Sequence, residues 1–121
     1  MSQITNFKCF DLEERTLRFA RQARVLVKSL PKSINNFEDG KQLVRSSGSV
    51  GANYIEANES LSKKDFIMRV KIAKKEAKET RFWLQLVEIG DDQELGKSRG
   101  RLIDESLELM KIFGAIIEKT K

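Results

Sequence analysis

The sequence predicts an all-α domain, an antiparallel up-and-down, left-handed four-helix bundle. Apolar residues recur at alternating three- and four-residue spacings through four successive segments. A single proline, Pro31, leaves those segments free to be helical. The stretches between them are short, so consecutive helices must double back on one another and pack at a shallow crossing angle.

The first segment, about 11–30, places Leu12, Thr16, Phe19, Ala23, Leu26 and Leu30 on one face. Asp11 followed by Glu14 reads as its start, and Pro31 stops it, because the residue before a proline avoids helical geometry. The second, about 36–58, has the seam Leu43, Ser47, Val50, Tyr54 and Ala57, interrupted by Gly40, Gly48 and Gly51. Each glycine costs a helix interior about 1 kcal/mol relative to alanine, so neighbouring helices must hold this one. Its small residues would let another helix come close; the alternative is a break or kink near Gly48.

The third segment, about 63–89, is the clearest: Phe66, Val70, Ala73, Ala77, Thr80, Leu84 and Val87 form one unbroken heptad seam. Ser62 with Asp65 resembles a capping box, and Gly90-Asp91-Asp92 supplies a turn. The fourth, about 98–120 and starting near Ser98 or Arg101, carries Leu102, Ser106, Leu109, Phe113 and Ile116, with Ile103, Met110 and Ile117 widening the stripe.

With 40% hydrophobic and 34% charged residues in 121, the composition is that of one globular domain spanning 1–121. The opening Met1-Ser2-Gln3-Ile4-Thr5-Asn6 is polar, and the apolar run Ile112 to Ile117 is too short to span a membrane. Cys9 has no partner for a disulfide, so a reducing cytoplasm is expected, with Cys9 a small apolar side chain rather than a reactive thiol. The absence of histidine removes Ser-His-Asp and Cys-His nucleophilic sites and the Glu-x-x-His ligands of di-iron bundles. One cysteine excludes a structural zinc site within the chain, and Gly48-Ser49-Val50-Gly51 lacks the lysine of a phosphate-binding loop. No enzymatic activity, metal or cofactor is expected.

Charge is distributed unevenly. Residues 1–30 carry six basic and three acidic groups and residues 60–83 eight and three, whereas 31–59 and 84–121 are slightly acidic. On the first helix Arg18, Arg21, Arg24 and Lys28 lie away from the seam; on the third, Lys64, Lys71, Lys75 and Lys78 do the same. Such rows suit phosphate backbones, since several cations acting together give affinity without reading bases; a merely solubilising face is the bland reading. Ser49, Asn53 and Glu56 share one face of the second helix and, with Glu76 on the third, read as a polar network fixing register, with Arg45 or Arg81 satisfying Glu56. A cation or ligand site is the alternative there. Glu79 is expected to pair with Lys75. Leu17, Val25, Ile72, Phe82 and Trp83 fall off their seams and are candidates for a self-association interface.

Ser49-Val50-Gly51-Ala52-Asn53-Tyr54-Ile55-Glu56-Ala57, Ser62-Lys63-Lys64-Asp65-Phe66 and the run Ile72 to Leu84 together resemble the four helix bundle protein family, encoded in intervening sequences of bacterial large-subunit ribosomal RNA genes. Leu30-Pro31-Lys32 and Gln42-Leu43-Val44-Arg45-Ser46 match the family's preceding stretch, and the likeness extends from about Phe10 to Ile117. The resemblance implies a left-handed bundle assembled into a ring, usually pictured as a pentamer with a basic channel. A related branch comprises accessory proteins of diversity-generating retroelements, which bind nucleic acid and a reverse transcriptase. The function expected is a homo-oligomeric bundle binding RNA or DNA backbone non-specifically; the alternative is a protein-interaction scaffold with no nucleic-acid role.

Overall fold

The computed structural model describes the backbone of residues 2–121 and the side chains of residues 12–121. Its four helices are α1 (Ser2–Ser29), α2 (Ile34–Asn58), α3 (Lys63–Leu86) and α4 (Gln93–Thr120), with no strand among the described residues. Cys9 and the expected Asp11 cap lie outside the described side chains, and α1 starts well ahead of residue 11.

Local chemistry places the other ends. Ser33, in extended backbone, caps α2 by accepting from the Asn36 N–H, so this helix begins at Ile34 rather than near Asn36. Ser62 caps α3 as expected, accepting from Asp65 N–H at 3.0 Å. α3 stops at Leu86, short of Gly90, because Val87 turns extended and buries its side chain beneath the bundle end. Gly90 takes φ +65° in the turn that follows, which favours glycine. α4 then begins at Gln93, not Ser98: the Asp92 carboxylate accepts from both Glu94 and Leu95 N–H groups. The acidic turn is itself the cap, and it brings Leu95 into the core.

The four seams close on one another in chain order, α1 on α2, α2 on α3, α3 on α4, with a thinner α1–α4 contact completing the ring of helices. Contacts between neighbours run in opposite chain directions. Thr16 faces Gly51 and Val27 faces Gly40; Arg45 reaches Glu79 while Arg69 reaches Asn53; Arg99 reaches Val87 while Lys74 lies on Gly114. Successive helices are therefore antiparallel. Every seam residue expected on the first and second helices is buried, as are all on the third except the half-buried Phe66. After Phe113 on α4 the chain buries Ile117 and not Ile116, which is half-buried. Across the centre, the Tyr54 and Phe113 rings pack at 5.9 Å between centroids.

Small and hydroxylated residues occupy much of this core. Thr16, Ser47, Thr80 and Ser106 each donate to a carbonyl three or four residues back in their own helix, so their burial leaves no unmet donor. Ser46 and Thr80 are also hydrogen-bonded to each other at 2.9 Å across α2 and α3. α2 is continuous through Gly48. Its glycines instead set a close approach of α1: a Cβ on Gly51 would lie 2.8 Å from Thr16 Oγ1 and 3.1 Å from Thr16 Cβ. At Gly48 the nearest group is only the exposed Arg24 guanidinium, 3.4 Å away.

Two polar devices finish the fold. Asn36, 5% exposed, donates to the carbonyls of Pro31 and Glu88 and accepts from the Glu88 N–H, so one amide ties both loops at that end together. The carboxylate of Glu105 receives Arg15 in a two-pronged pair at 2.7 and 2.9 Å, bridging the thin α1–α4 contact.

Gly51→Ala should overpack the α1–α2 contact and, after the gain in helix propensity, lose about 1–2 kcal/mol, or roughly 3–10 °C in Tm. Gly48→Ala, free of that clash, should be neutral or gain up to about 1 kcal/mol; thermal unfolding of the two variants side by side checks the contrast. Asn36→Ala leaves one buried N–H and two carbonyls unmet and should cost about 2–3 kcal/mol in denaturant unfolding. Asn36→Asp should fail to rescue it, because a carboxylate offers nothing to the Pro31 and Glu88 carbonyls.

Candidate nucleic-acid interface

All eight candidate cations, Arg18, Arg21, Arg24 and Lys28 on α1 with Lys64, Lys71, Lys75 and Lys78 on α3, are exposed. Every ion pair among the described residues uses a cation outside these rows: Arg15, Lys41, Arg45, Lys97, Lys111 or Lys121. The rows therefore carry positive charge that no carboxylate among the described residues neutralises.

The two rows are not equivalent. Arg24 donates to the Ala20 carbonyl and lies over Gly48, drawing its guanidinium into the α1–α2 seam, while helical spacing puts Arg18 on the opposite flank. The α1 row is thus splayed. Lys64, Lys71, Lys75 and Lys78 are separated by seven, four and three residues and form one line along α3. Lys74, not among the expected members, is exposed beside them, its Nζ lying against Gly114 of α4. Arg81 extends the α4-facing side of the helix, and its buried Nε has no hydrogen-bond partner. Both residues stand one helical turn from expected members, a spacing that could have found them. Near the start of α3, Lys63, Lys64, Lys71 and Lys121, together with Asp65, surround Ile67 and Met68 in a shallow depression.

α1 and α3 share no packed interface, being diagonal in the bundle. The rows accordingly face opposite sides of one chain. Spacing along the sequence shows which face of a helix a residue occupies, but the order of helices around the core decides where that face looks.

The polar residues are arranged otherwise than expected. Ser49 donates to the Arg45 carbonyl and Asn53 to the Ser49 carbonyl, both within α2, and Arg69 approaches Asn53 Oδ1 at 3.4 Å. Glu56 is exposed, with no ion pair among the described residues, so neither Arg45 nor Arg81 satisfies it. Arg45 instead spans α2 and α3 to Glu76 at 3.2 Å and Glu79 at 3.1 Å, and Glu79 thus pairs across the helices rather than with Lys75. The cause is register: Ser49, Asn53 and Glu56 lie on the outer flank of the α2–α3 seam, Ser49 one helical turn after the buried Ser46 that meets Thr80. Among the described residues no cluster of carboxylates or thiols suits a metal ion, and no helix is long and apolar enough to cross a membrane.

Of the candidate interface residues, Leu17, Val25 and Phe82 are exposed, and Ile72 and Trp83 half-buried. Trp83 packs against the core and meets the Phe82 ring edge-on at 5.0 Å. Phe37 and Ile55 on α2 join them without having been expected; exposed by 64% and 46%, they lie with Leu17 along the outer flank of the α1–α2 seam. Phe37 also borders an apolar groove that includes Val27, Ile34 and Val44. Phe37 stands three residues after Ile34 and seven before Val44, a helical spacing that could have found it, whereas Ile55 has only the small Ala52 at such a spacing.

Residues 10–99 match the model of a family described as 23S rRNA-intervening sequence protein. A crystal structure from Bacteroides thetaiotaomicron, of a protein with unknown function from the S23 ribosomal protein family, is 34% identical over 87% of this chain and 96% of that one, with a TM-score of 0.75. No curated protein matches.

Because the α3 row makes no ion pairs among the described residues, its charges should contribute nothing to stability. Lys71→Glu and Lys78→Glu should each leave the unfolding free energy within about 0.5 kcal/mol of the parent. Glu76→Gln should by contrast weaken the Arg45 bridge and cost about 0.5–1 kcal/mol, read in the same denaturant series.

Proposed function

The chain belongs to the family of 23S rRNA-intervening sequence proteins, and from that premise we propose that it is a non-catalytic, homo-oligomeric bundle that binds the phosphate backbone of RNA or DNA without reading sequence. The observation that carries this reading is the pair of unneutralised basic rows on α1 and α3, where other cations supply all the ion pairs among the described residues. A solubilising face would be served as well by mixed charge. Single-sign rows of this length raise the local potential and let several phosphates displace counterions together.

Self-association is supported by Leu17, Phe37 and Ile55, exposed along one flank of the α1–α2 seam. A second copy of the chain would cover it and would also bring rows from different chains onto one surface, which diagonal helices within a chain cannot do. A ring, pentameric in the family pattern, and cytoplasmic location belong to the same proposal. A protein partner at that apolar flank, such as a reverse transcriptase, is the alternative reading.

Fluorescence anisotropy with mixed-sequence RNA and DNA should show affinity falling steeply with salt. Arg21→Glu with Lys28→Glu, or Lys71→Glu with Lys78→Glu, should each lower the slope of log affinity against log salt by roughly one for every phosphate no longer engaged. Absence of any salt-dependent binding overturns the nucleic-acid reading. Light scattering should report an oligomer that Ile55→Glu dissociates; a monomeric parent overturns the assembly.

A further inference from the structure

The lysine line on α3 ends in an aromatic. Phe82 stands four residues after Lys78 and seven after Lys75, so it continues the line of Lys64, Lys71, Lys75 and Lys78 on the outer face of the helix. Its ring is 56% exposed, although an apolar surface of that size has no place on a purely solubilising face. Met68 and Leu86, 47% and 46% exposed, lie on the same side of α3, before Lys71 and one turn beyond Phe82. From Lys64 to Phe82 the line is about 27 Å long at about 1.5 Å per residue. One side of the Phe82 ring is fixed by its edge-on contact with Trp83, which is itself anchored on the core, so the platform is held in place before anything binds.

Charge and aromatic surface in one line have a specific use. A duplex hides the faces of its bases in the stack and offers phosphates, sugars and groove edges instead, so the Phe82 ring would find no base to stack on. A single strand exposes the faces of its bases, which stack on aromatic side chains while the backbone follows the cations. The cations of the line offer donors alone, and every base has a face to stack, so stacking on Phe82 would tolerate any base. Resting on the phosphate-binding reading above, we infer that the α3 line is a single-strand site: Lys71, Lys75 and Lys78 hold successive phosphates and Phe82 stacks a base at the end of the track.

Trp83 is the only tryptophan, and its contact with Phe82 makes its emission a direct reporter of stacking there. The full-length chain is titrated with oligouridylate and oligodeoxythymidylate of about 12 nucleotides, with a hairpin duplex of equal charge and with polyphosphate. Both single strands should change Trp83 emission and bind at least about 5-fold tighter than the duplex, whereas polyphosphate should bind without that change. Phe82→Leu should weaken the single strands by about 5- to 100-fold while leaving the salt slope and duplex affinity unchanged. Lys75→Glu with Lys78→Glu should lower the slope for every ligand. Equal affinity for strand and duplex with a silent Phe82→Leu overturns the single-strand site and leaves backbone binding standing; no salt-dependent binding to any ligand overturns both. Dissociation of the oligomer by Phe82→Leu, seen by light scattering, would place Phe82 between copies or against a protein and also overturns the site. Circular dichroism of each variant confirms the fold, all three positions being exposed.

Discussion

The approach of α1 to α2 at Thr16 and Gly51 governs much of the remaining architecture. α1 has a broad contact with α2 and a thin one with α4, so its position is set mainly from one side. At Gly51 the two backbones come near enough that even a methyl group would collide with Thr16. That closeness lets Leu12, Phe19, Ala23 and Leu26 reach a core already lined by alanine and serine on the facing helices. It also explains why α2 retains Gly51, which weakens it as an isolated helix: the propensity forgone, about 1 kcal/mol, is offset by packing that a larger residue would prevent, a constraint Gly48 does not share.

A core so rich in hydroxyls would be unstable if those groups needed distant partners. Nearly all of them bond back to their own helix, and only Ser46 with Thr80 forms a link between helices. Specific polar ties are placed at the margins, Asn36 across two loops and Arg15 with Glu105 across the thin seam. Structural polarity is therefore carried inside the bundle and at its ends. On the outer faces of α1 and α3 the cations of the two rows take no part in the ion pairs among the described residues.

The seams are legible residue by residue, since burial follows from helical period and side-chain type. Thr16, Ser47, Thr80 and Ser106 belong to the core on period alone, against their polarity, and they are buried there. Helix ends are less legible. Asp92 has the look of turn chemistry and is a cap, and Val87 has the look of a helical residue and turns extended, because both choices depend on how the chain must travel between helices. Asn36 leaves no signal: an asparagine near a helix start suggests a cap, and its true partner at Glu88 lies half the chain away. The Ser49–Asn53–Glu56 face is readable as one side of α2, but only the register against α3 puts it outside the seam.

Composition and period are enough to establish four helices, their core faces, the outward position of eight cations and the lack of histidine chemistry. These are local properties, fixed by the angle each residue turns through along a helix and by its own side chain. The path of Arg45 to Glu76 and Glu79, the diagonal separation of the two basic rows and the packing of Trp83 against the core are different in kind. Each depends on the order and depth at which helices settle against one another. That is set by the sum of many contacts around Gly51 and Gly40, and no single stretch of chain contains it.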